Sequence, residues 1–174
     1  MTTVEGSLGD HRRLRLLGLT VAVLAFIADQ ASKFALLYGA GFRDMAPGQS
    51  VPLLPFFDMV MVWNPGISYG LFAANGPKGT IALVLATFAV VLFLGWYLWK
   101  TTQPAIAIGC GFIIGGGLGN LLDRLLYGKV ADFFHLFAFG YDWYVFNIAD
   151  LAVTLGAVAF IYDVLKPSES SRDA

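Results

Sequence analysis

Residues 146–150 of the chain read FNIAD and lead directly into residues 151–165, LAVTLGAVAFIYDVL. The second segment is almost wholly apolar, and Asp163 is its one charged residue. A carboxylate at the mouth of such a segment is costly in lipid, by about 2.5–3.5 kcal/mol on insertion scales, and it usually marks a functional site. Asp150 therefore indicates both a membrane-spanning helix and a polar site at one end of it.

The composition of the chain is that of a membrane protein. Of 174 residues, 57% are hydrophobic and 13% are charged, against roughly 45–50% and 25% in soluble domains. The net charge of −1 argues against a nucleic-acid partner, which needs a cationic surface. One cysteine, Cys110, allows no internal disulfide, and two histidines are too few for an ordinary zinc site. We expect one integral membrane domain, residues 1–174, with no metal and no cofactor.

Four apolar segments are long enough to cross a bilayer: residues 16–38, 80–99, 105–122 and 145–165. Polar tails flank them at residues 1–15 and 166–174. The first connection, residues 39–78, alternates apolar stretches with glycine and proline, as a small sheet or an interfacial cap would. Residues 123–144 form a second loop. The predicted fold is an all-α integral membrane protein with four transmembrane helices and a small β-type cradle between the first two.

The orientation of the chain follows from its basic residues. An N-terminal signal peptide is an alternative for the first span, but the apolar run resumes after residues 29–33 and no cleavage pattern follows it. Four spans place both termini on one side of the membrane. That side carries Arg12, Arg13, Arg15, Lys100, Lys166 and Arg172, and the other carries Arg43, Lys78, Arg124 and Lys129. The modest excess predicts cytoplasmic termini and two connections on the extracytoplasmic side.

Polar residues from three different spans fall at one depth. At 1.5 Å per residue, Asp29 lies about 20 Å up the first span and Asn120 about 24 Å up the third. Asp150 lies only about 8 Å below the outer end of the fourth span. We therefore expect these side chains to converge in the outer layer of the membrane.

The aspartates differ in their neighbouring cations. Asp29 and Lys33 are four residues apart, which permits an ion pair on one helix face. Asp123 follows Asn120 by three residues, and the adjacent Arg124 is expected to keep it ionised. These pairs could serve only to neutralise charge within the membrane.

Asp132 and Asp150 have no such immediate partner, although Lys129 is three positions from Asp132. Two carboxyl groups in a partly dry site tend to share one proton, which suits acid and base catalysis near neutral pH. The alternative to a catalytic role for these two aspartates is a helix cap or a structural hydrogen bond. Asn147, three residues before Asp150, lies on its helix face.

Other chemistries are less favoured by the sequence. Ser32 and Lys33 are neighbours on a helix and point about 100° apart, which disfavours a hydrolytic dyad. Cys110 lies in apolar surroundings, and His135 lacks a metalloprotease motif. Gly111, Gly115 and Gly119 form a stripe on which another helix can pack. A proton-coupled transporter would also use intramembrane aspartates, but inverted repeats are not found. A noncatalytic assembly factor leaves the polar layer unexplained.

Five segments of the chain form a recognisable set: DQASK at residues 29–33, WNPGISYG at 63–70, GGGLGNLLDR at 115–124, VADF at 130–133 and FNIAD at 146–150. Together they resemble the bacterial lipoprotein signal peptidases, the signal peptidase II family. The resemblance runs from Asp29 to Asp150 in the family's order. Ile67 and Tyr69 depart from the residues that are common in the second segment, which affects side-chain preference rather than the assignment.

The resemblance implies an aspartic endopeptidase of the bacterial inner membrane, with its active site near the extracytoplasmic face. Its substrates would be diacylglyceryl-modified prolipoproteins, cleaved N-terminal to the lipidated cysteine, and its other partners membrane lipids; we expect a monomer. Asp132 and Asp150 correspond to the catalytic dyad, and part of residues 39–62 to an extracytoplasmic cradle over the site. The positions of supporting or substrate-contacting residues are Asp29, Lys33, Asn64, Gly116, Asn120, Arg124 and Asn147. Asp123, within the same segment as Asn120 and Arg124, is added to them.

Overall fold

The computed structural model describes residues 2–66 and 77–166, with the backbone alone for residues 2–9. The motif positions 67–70 and the predicted tail beyond Lys166 lie outside the described residues. Within them are four long helices: α1 Thr2–Phe34, α2 Pro77–Lys100, α3 Pro104–Tyr127 and α4 Ile148–Leu165. Each includes a segment that is long and apolar enough to cross a membrane. The predicted set of four spanning helices is confirmed.

The helices extend beyond, or stop short of, the apolar segments from which they were predicted. α1 includes much of the polar start of the chain and continues into a π-helical turn, Ala35–Gly39. α3 continues to Tyr127, where Gly128 closes the helix with a left-handed φ of 69° and donates its backbone N–H to the Arg124 carbonyl. α4 begins at Ile148 because Asn147 caps it. Hydropathy therefore predicts where the chain crosses the membrane but not where each helix ends, because polar residues can also be helical.

Four antiparallel strands form one sheet in the order β1-β2-β3-β4. Their bounds are β1 Ser50–Leu54, β2 Phe57–Asn64, β3 Val130–Ala138 and β4 Tyr141–Phe146. A sheet within residues 39–78 was predicted. The prediction of a loop at residues 123–144 was wrong where the structure has β3 and most of β4. β2 of the first connection pairs directly with β3 of the second. The two connections therefore form a single structure that brings Asp132 beside the first connection.

α3 is the central helix of the bundle. Its most apolar segment is 56% buried, against 11–22% for the other three. The predicted glycine stripe packs on α1: a Cβ on Gly111 would meet the Gly18 carbonyl, and one on Gly115 would meet the Ala22 carbonyl. Gly116 faces α4 instead, against the Ala149 carbonyl. Close backbone approach on both sides of α3 fixes the ends of α1 and α4 around the polar residues of α3.

Candidate active site

Asp132 is a buried carboxylate in β3. The antiparallel pairing of β2 with β3 brings Asn64 to this position, and Asn64 Nδ2 lies 2.9 Å from Asp132 Oδ2. Asn147 Nδ2 donates to the other oxygen, Asp132 Oδ1, at 2.6 Å. Asp132 is only 1% exposed. The carboxylate is thus held from both sides by amide groups, each of which is polar but uncharged.

Asp150 lies in the first turn of α4 and belongs to a capping box with Asn147. The Asp150 backbone N–H donates to Asn147 Oδ1 at 3.0 Å, and the Asn147 backbone N–H donates to Asp150 Oδ2 at 3.4 Å. The alternative of a structural cap is therefore realised. The same carboxylate also accepts a hydrogen bond from Asn120 Nδ2 at 2.9 Å through Oδ1. Because a carboxylate has about four acceptor sites, these bonds leave capacity for water.

Two asparagines connect the two aspartates. Asn147 Nδ2 lies 3.1 Å from Asn120 Oδ1 as well as 2.6 Å from Asp132 Oδ1. Asn120 in turn donates to Asp150. The hydrogen bonds thus run from Asp132 through Asn147 and Asn120 to Asp150, with members from β3, the start of α4 and α3. Asn120 and Asp150, which were predicted to converge because they lie at one depth in the membrane, are therefore in contact.

The environment of Asp132 favours its neutral form. Burial raises the pKa of the Asp132 carboxyl to about 7, and the charge of Asp150 acts in the same direction. The hydrogen bonds from Asn64 and Asn147 lower this pKa and only partly offset the effect. A carboxyl group with a pKa near 7 is protonated in about half of the molecules at neutral pH. This group can therefore serve as an acid or as a base in one pH range.

A buried ionic cluster adjoins the aspartate pair. Lys33 Nζ lies 2.8 Å from Asp29 Oδ2, which confirms the predicted ion pair, and 2.8 Å from Asp123 Oδ2. Lys33 also donates to Asn120 Oδ1 at 3.1 Å. The direct ion pair of Asp123 is therefore with Lys33 on α1, and not with Arg124, which was expected to keep it ionised. The Arg124 guanidinium instead donates to the Gly66 carbonyl at 2.9 Å and to the Asn120 carbonyl at 3.2 Å.

The two carboxylates of this cluster also hold the backbone next to the aspartate pair. Asp123 Oδ2 accepts the backbone N–H of Ala131 at 3.1 Å, one residue before Asp132. Asp29 Oδ1 accepts the backbone N–H of Ala149 at 2.9 Å, one residue before Asp150. These two backbone bonds could not be predicted from the sequence, because the partners of each lie far apart along the chain or on different elements. They fix the position of each aspartate through its neighbour.

Gln30 is a further polar residue that the sequence prediction missed. Its side-chain nitrogen lies 3.0 Å from Asp29 Oδ2 and 3.2 Å from the Gly119 carbonyl. It also approaches Asp123 Oδ1 at 3.4 Å. Its position within the segment DQASK, in an otherwise apolar span, is the signal that could have identified it.

A cavity of about 570 Å³ opens at the aspartate pair. Its polar end includes Asn64, Asn120, Arg124, Asp132 and Asp150. Its other walls are mainly apolar and come from α2, α3 and α4: Leu83, Ala86, Val90, Val91, Ile113 and Val153. The cavity can therefore hold a largely apolar ligand with one polar group against the two carboxyl groups. Gly116, which was predicted to support the site, contributes by allowing α3 and α4 to approach closely.

Alternative reactive groups are engaged elsewhere. Ser32 Oγ donates to the Asp29 carbonyl at 2.7 Å, within its own helix. Lys33 is directed to the ionic cluster rather than to Ser32. Cys110 is fully buried in the apolar core with Ala22, Leu98 and Ala107. Among residues 2–66 and 77–166, no group of three or more His, Cys, Asp or Glu residues has an arrangement suited to a metal ion.

Comparisons with known proteins agree with this architecture. A family model described as signal peptidase (SPase) II matches residues 21–166. A lipoprotein signal peptidase of Rhodopseudomonas palustris (strain TIE-1) is 46% identical over 153 residues, covering 86% of this chain and 92% of the relative. One of Nitrobacter hamburgensis is 48% identical over 151 residues, covering 84% and 90%.

Solved structures give the same result for the fold. A bacterial membrane enzyme solved by the in meso method superposes with a TM-score of 0.76 at 26% identity, over 90% of this chain and 92% of that one. A second such structure has a TM-score of 0.73 at 27% identity, over 87% and 94%. The family resemblance that was recognised in the sequence is confirmed. The chain therefore belongs to the signal peptidase II family, and it is a multi-pass membrane peptidase.

Proposed function

We propose that this chain is an aspartic endopeptidase that removes the signal peptide from diacylglyceryl-modified prolipoproteins, cutting N-terminal to the lipidated cysteine. Relatives with 44–48% identity are lipoprotein signal peptidases. The observation that carries the catalytic type is the aspartate pair. Asp132 and Asp150 come from different elements, face one cavity and are connected by Asn147 and Asn120. No cofactor takes part in the proposed reaction.

The reaction needs one proton shared between the two carboxyl groups. The unprotonated carboxylate removes a proton from water while the water oxygen attacks the carbonyl carbon of the scissile bond. The protonated carboxyl group donates its proton to the carbonyl oxygen, which gives a tetrahedral diol. When the C–N bond breaks, the leaving nitrogen takes up the proton that the first carboxylate gained from water. A hydroxyl group of the diol returns its proton to the second carboxylate, which restores the starting pair. Because a coupled pair titrates as a unit, either aspartate can hold the shared proton at rest.

The surrounding polar residues have positioning roles in this proposal. Asn120 and Asn147 hold the two carboxyl groups in fixed orientations through their side-chain amides. Asn64 binds Asp132 and also accepts the backbone N–H of Gly66 at 3.0 Å. Arg124 donates to the Gly66 carbonyl. Asn64 and Arg124 together therefore hold the chain at Gly66 against the polar end of the cavity, where a peptide substrate would lie.

The same geometry suggests how the substrate reaches the site. The apolar cavity walls from α2, α3 and α4 suit the acyl chains of a lipidated substrate. We propose that the substrate enters sideways from the outer leaflet of the bacterial inner membrane. The four-stranded sheet then serves as the extracytoplasmic cradle over the site, and both termini lie in the cytoplasm. A monomer contains every residue of the proposed mechanism.

The test is cleavage of a synthetic lipidated prolipoprotein by the purified protein. Asp132→Asn and Asp150→Asn should each reduce kcat by about 10²–10⁴-fold or more, because each removes an essential proton acceptor or donor. Asp44→Asn is the matched control, since it makes the same substitution at an exposed residue outside the cavity. Gel filtration in detergent checks that each variant is folded. Near-normal cleavage by either folded variant would remove that aspartate from the mechanism.

Two rival mechanisms have their own tests. A metal-dependent mechanism requires loss of cleavage upon addition of a chelator and recovery with metal, whereas we expect no effect. A nucleophilic mechanism requires inactivity of Ser32→Ala or Cys110→Ser, whereas we expect both to retain activity if they fold. The transporter alternative is disfavoured by membership of a peptidase family.

A further inference from the structure

A second cavity lies at the ends of α1 and α3, beside β2. Its volume is about 330 Å³, within the range of about 300–1,000 Å³ that is typical of small-molecule sites. We call it the Arg43 cavity. It is lined by Leu37, Tyr38, Arg43, Trp63, Tyr127 and Lys129. None of these residues takes part in the mechanism proposed above.

The Arg43 cavity is distinct from the active-site cavity. Trp63 and Asn64 are consecutive in β2, so their side chains point to opposite faces of the sheet. Asn64 reaches Asp132 on one face, while Trp63 lines the Arg43 cavity on the other and packs against Tyr127 at 5.2 Å between ring centroids. The two sets of lining residues have no member in common. A ligand in the Arg43 cavity would therefore not occupy the substrate site.

The polar groups of the cavity are those that bind an anion. Arg43 and Lys129 are both exposed, and the lining residues include no carboxylate. Within residues 2–66 and 77–166, neither cation forms an ion pair. The Arg43 guanidinium carbon lies 5.6 Å from the centroid of the Tyr38 ring, which holds it over the cavity wall. Arginine and lysine are the side chains that bind phosphate most commonly.

The tyrosine hydroxyls supply one further donor. Tyr38 Oη and Tyr127 Oη lie 3.1 Å apart and share a hydrogen bond. Each hydroxyl has one hydrogen, so the shared bond uses one and leaves the other to donate elsewhere. A phosphate in the cavity can thus accept hydrogen bonds from a guanidinium, an ammonium and a hydroxyl group.

The position of the cavity indicates that the phosphate belongs to a lipid. Tyr38 and Tyr127 stand at the ends of two candidate membrane-spanning segments, Asp10–Gly39 and Pro104–Tyr127, and tyrosine at the end of such a segment commonly lies at the level of the lipid headgroups. Phe34, one helical turn deeper than Tyr38, is 68% exposed, and its ring centroid lies 5.3 Å from that of Tyr38. An acyl chain descending from the cavity would pass along this exposed apolar surface. The arrangement combines an anion site with an adjoining lipid-facing surface.

We propose that the Arg43 cavity binds the phosphodiester headgroup of an anionic glycerophospholipid, such as phosphatidylglycerol, on the membrane surface that carries the sheet. Two cations without a carboxylate favour a headgroup with net negative charge over a zwitterionic one. The lipid would lie between the end of α1, β2 and the end of α3. It would thereby stabilise the attachment of the sheet to the helices.

The experiment is native mass spectrometry of the detergent-solubilised protein with added phosphatidylglycerol. We expect one lipid to be retained, and Arg43→Gln/Lys129→Gln to reduce its retention by at least about tenfold, since two charge-assisted contacts are lost. The control variant Lys78→Gln/Lys100→Gln loses the same amount of charge outside the cavity. It should retain phosphatidylglycerol as the wild type does. Gel filtration in detergent checks that both double variants are folded.

Two further probes separate the possible sources of the phosphate. Diacylglycerol, which lacks the phosphate, should not be retained; retention equal to that of phosphatidylglycerol would overturn the proposal. Inorganic phosphate at millimolar concentration should not displace the lipid, and complete displacement would instead assign a site for free phosphate. Unchanged phosphatidylglycerol retention in Arg43→Gln/Lys129→Gln would also overturn it. These readouts do not depend on the peptidase mechanism.

Discussion

At the scale of single residues, Asp132 has the environment that most directly links structure to chemistry. Its carboxyl group is buried, lies near a second carboxylate and accepts hydrogen bonds from the neutral side-chain amides of Asn64 and Asn147. Burial and the charge of Asp150 together raise its pKa to about 7. A cation in direct contact would lower the pKa again and keep the group ionised. Lys33 instead contacts Asp29 and Asp123, which supports the proposal that Asp132 and Asp150 share one proton.

This environment predicts the pH dependence of cleavage. Burial favours the protonated form of Asp132, so the shared proton is present below pH 7 and is lost as the pH rises through about 7. We therefore expect kcat/KM to fall by about tenfold per pH unit above this value, because the fully ionised pair has no acid. The measurement is kcat/KM for the lipidated substrate from pH 5 to pH 9.

The control for this pH profile is thermal unfolding in detergent at each pH, which identifies any loss of activity caused by unfolding. A profile that stays flat between pH 6 and pH 9, in protein that remains folded, would contradict a shared proton with this pKa.

Residue-level prediction from the sequence succeeded for some contacts and failed for others. The ion pair of Asp29 with Lys33 could be predicted because residues four apart on a helix are neighbours. Arg124 was expected to keep Asp123 ionised, but consecutive helical residues point about 100° apart, and the direct ion pair of Asp123 is with Lys33. Asp123 turns to Lys33 on α1, while Arg124 turns to Gly66. Contacts between elements cannot be derived from spacing within one element.

At the scale of elements, α3 organises the site because it carries small residues on two faces. Gly111 and Gly115 admit the backbone of α1, and Gly116 admits the backbone of α4. Gly119 lies against the Asp29 carboxylate itself. In a membrane, such close packing stabilises helix association where the hydrophobic effect between helices is weak. The glycines therefore set the distance between Asp29, Asn120 and the start of α4.

This packing can be tested with Gly115→Ala. A Cβ at this position would meet the Ala22 carbonyl and the Ala25 side chain, so α1 and α3 would have to separate. We expect a loss of about 1–3 kcal/mol in the free energy of unfolding, as for other overpacked sites. Reduced cleavage should accompany it, because Lys33 and Asn120 lie on the two helices that separate. The measurements are thermal unfolding and cleavage in the same detergent.

Gly95→Ala provides the matched control on α2. A Cβ there has no neighbour within 4 Å, and alanine has a higher helix propensity than glycine by about 1 kcal/mol. Stability equal to or above that of the wild type is expected. A Gly115→Ala variant as stable as Gly95→Ala would contradict the tight packing of α1 on α3.

The sheet marks the limit of prediction at the scale of elements. Alternation of apolar and turn residues indicated strands in the first connection, yet residues 123–144 were assigned to a loop. β3 is apolar and largely buried at its start, where the pattern VADFF does not alternate. One of its two partner strands, β2, lies about seventy residues earlier, and a pairing over that distance leaves no local signal in the sequence.

At the scale of the whole molecule, α2 crosses from the surface that carries the sheet to the surface that carries the starts of α1 and α3. The positive charges favour a cytoplasmic location for the latter surface. Lys78 and Lys100, both exposed, mark the two ends of α2. They provide a direct test of orientation.

We predict that Lys78→Cys will react with a membrane-impermeant maleimide in intact spheroplasts, whereas Lys100→Cys will react only after lysis. Both are made in a Cys110→Ser background, so that the introduced thiol is the only one in the chain. Labelling of both after lysis serves as the control for accessibility. Labelling of Lys100→Cys alone in intact spheroplasts would reverse the proposed orientation.

The sequence by itself determined that this protein has four membrane-spanning helices, a polar layer in three of them and the motifs of signal peptidase II. Hydropathy and helical spacing are local properties, and they can be computed from neighbouring residues. Only the tertiary structure decided that both connections form one sheet, that Lys33 neutralises Asp123, and that Asn147 and Asn120 connect Asp132 with Asp150. These contacts join residues that are distant in sequence, and helix packing through the glycines of α3 is what brings them within bonding distance.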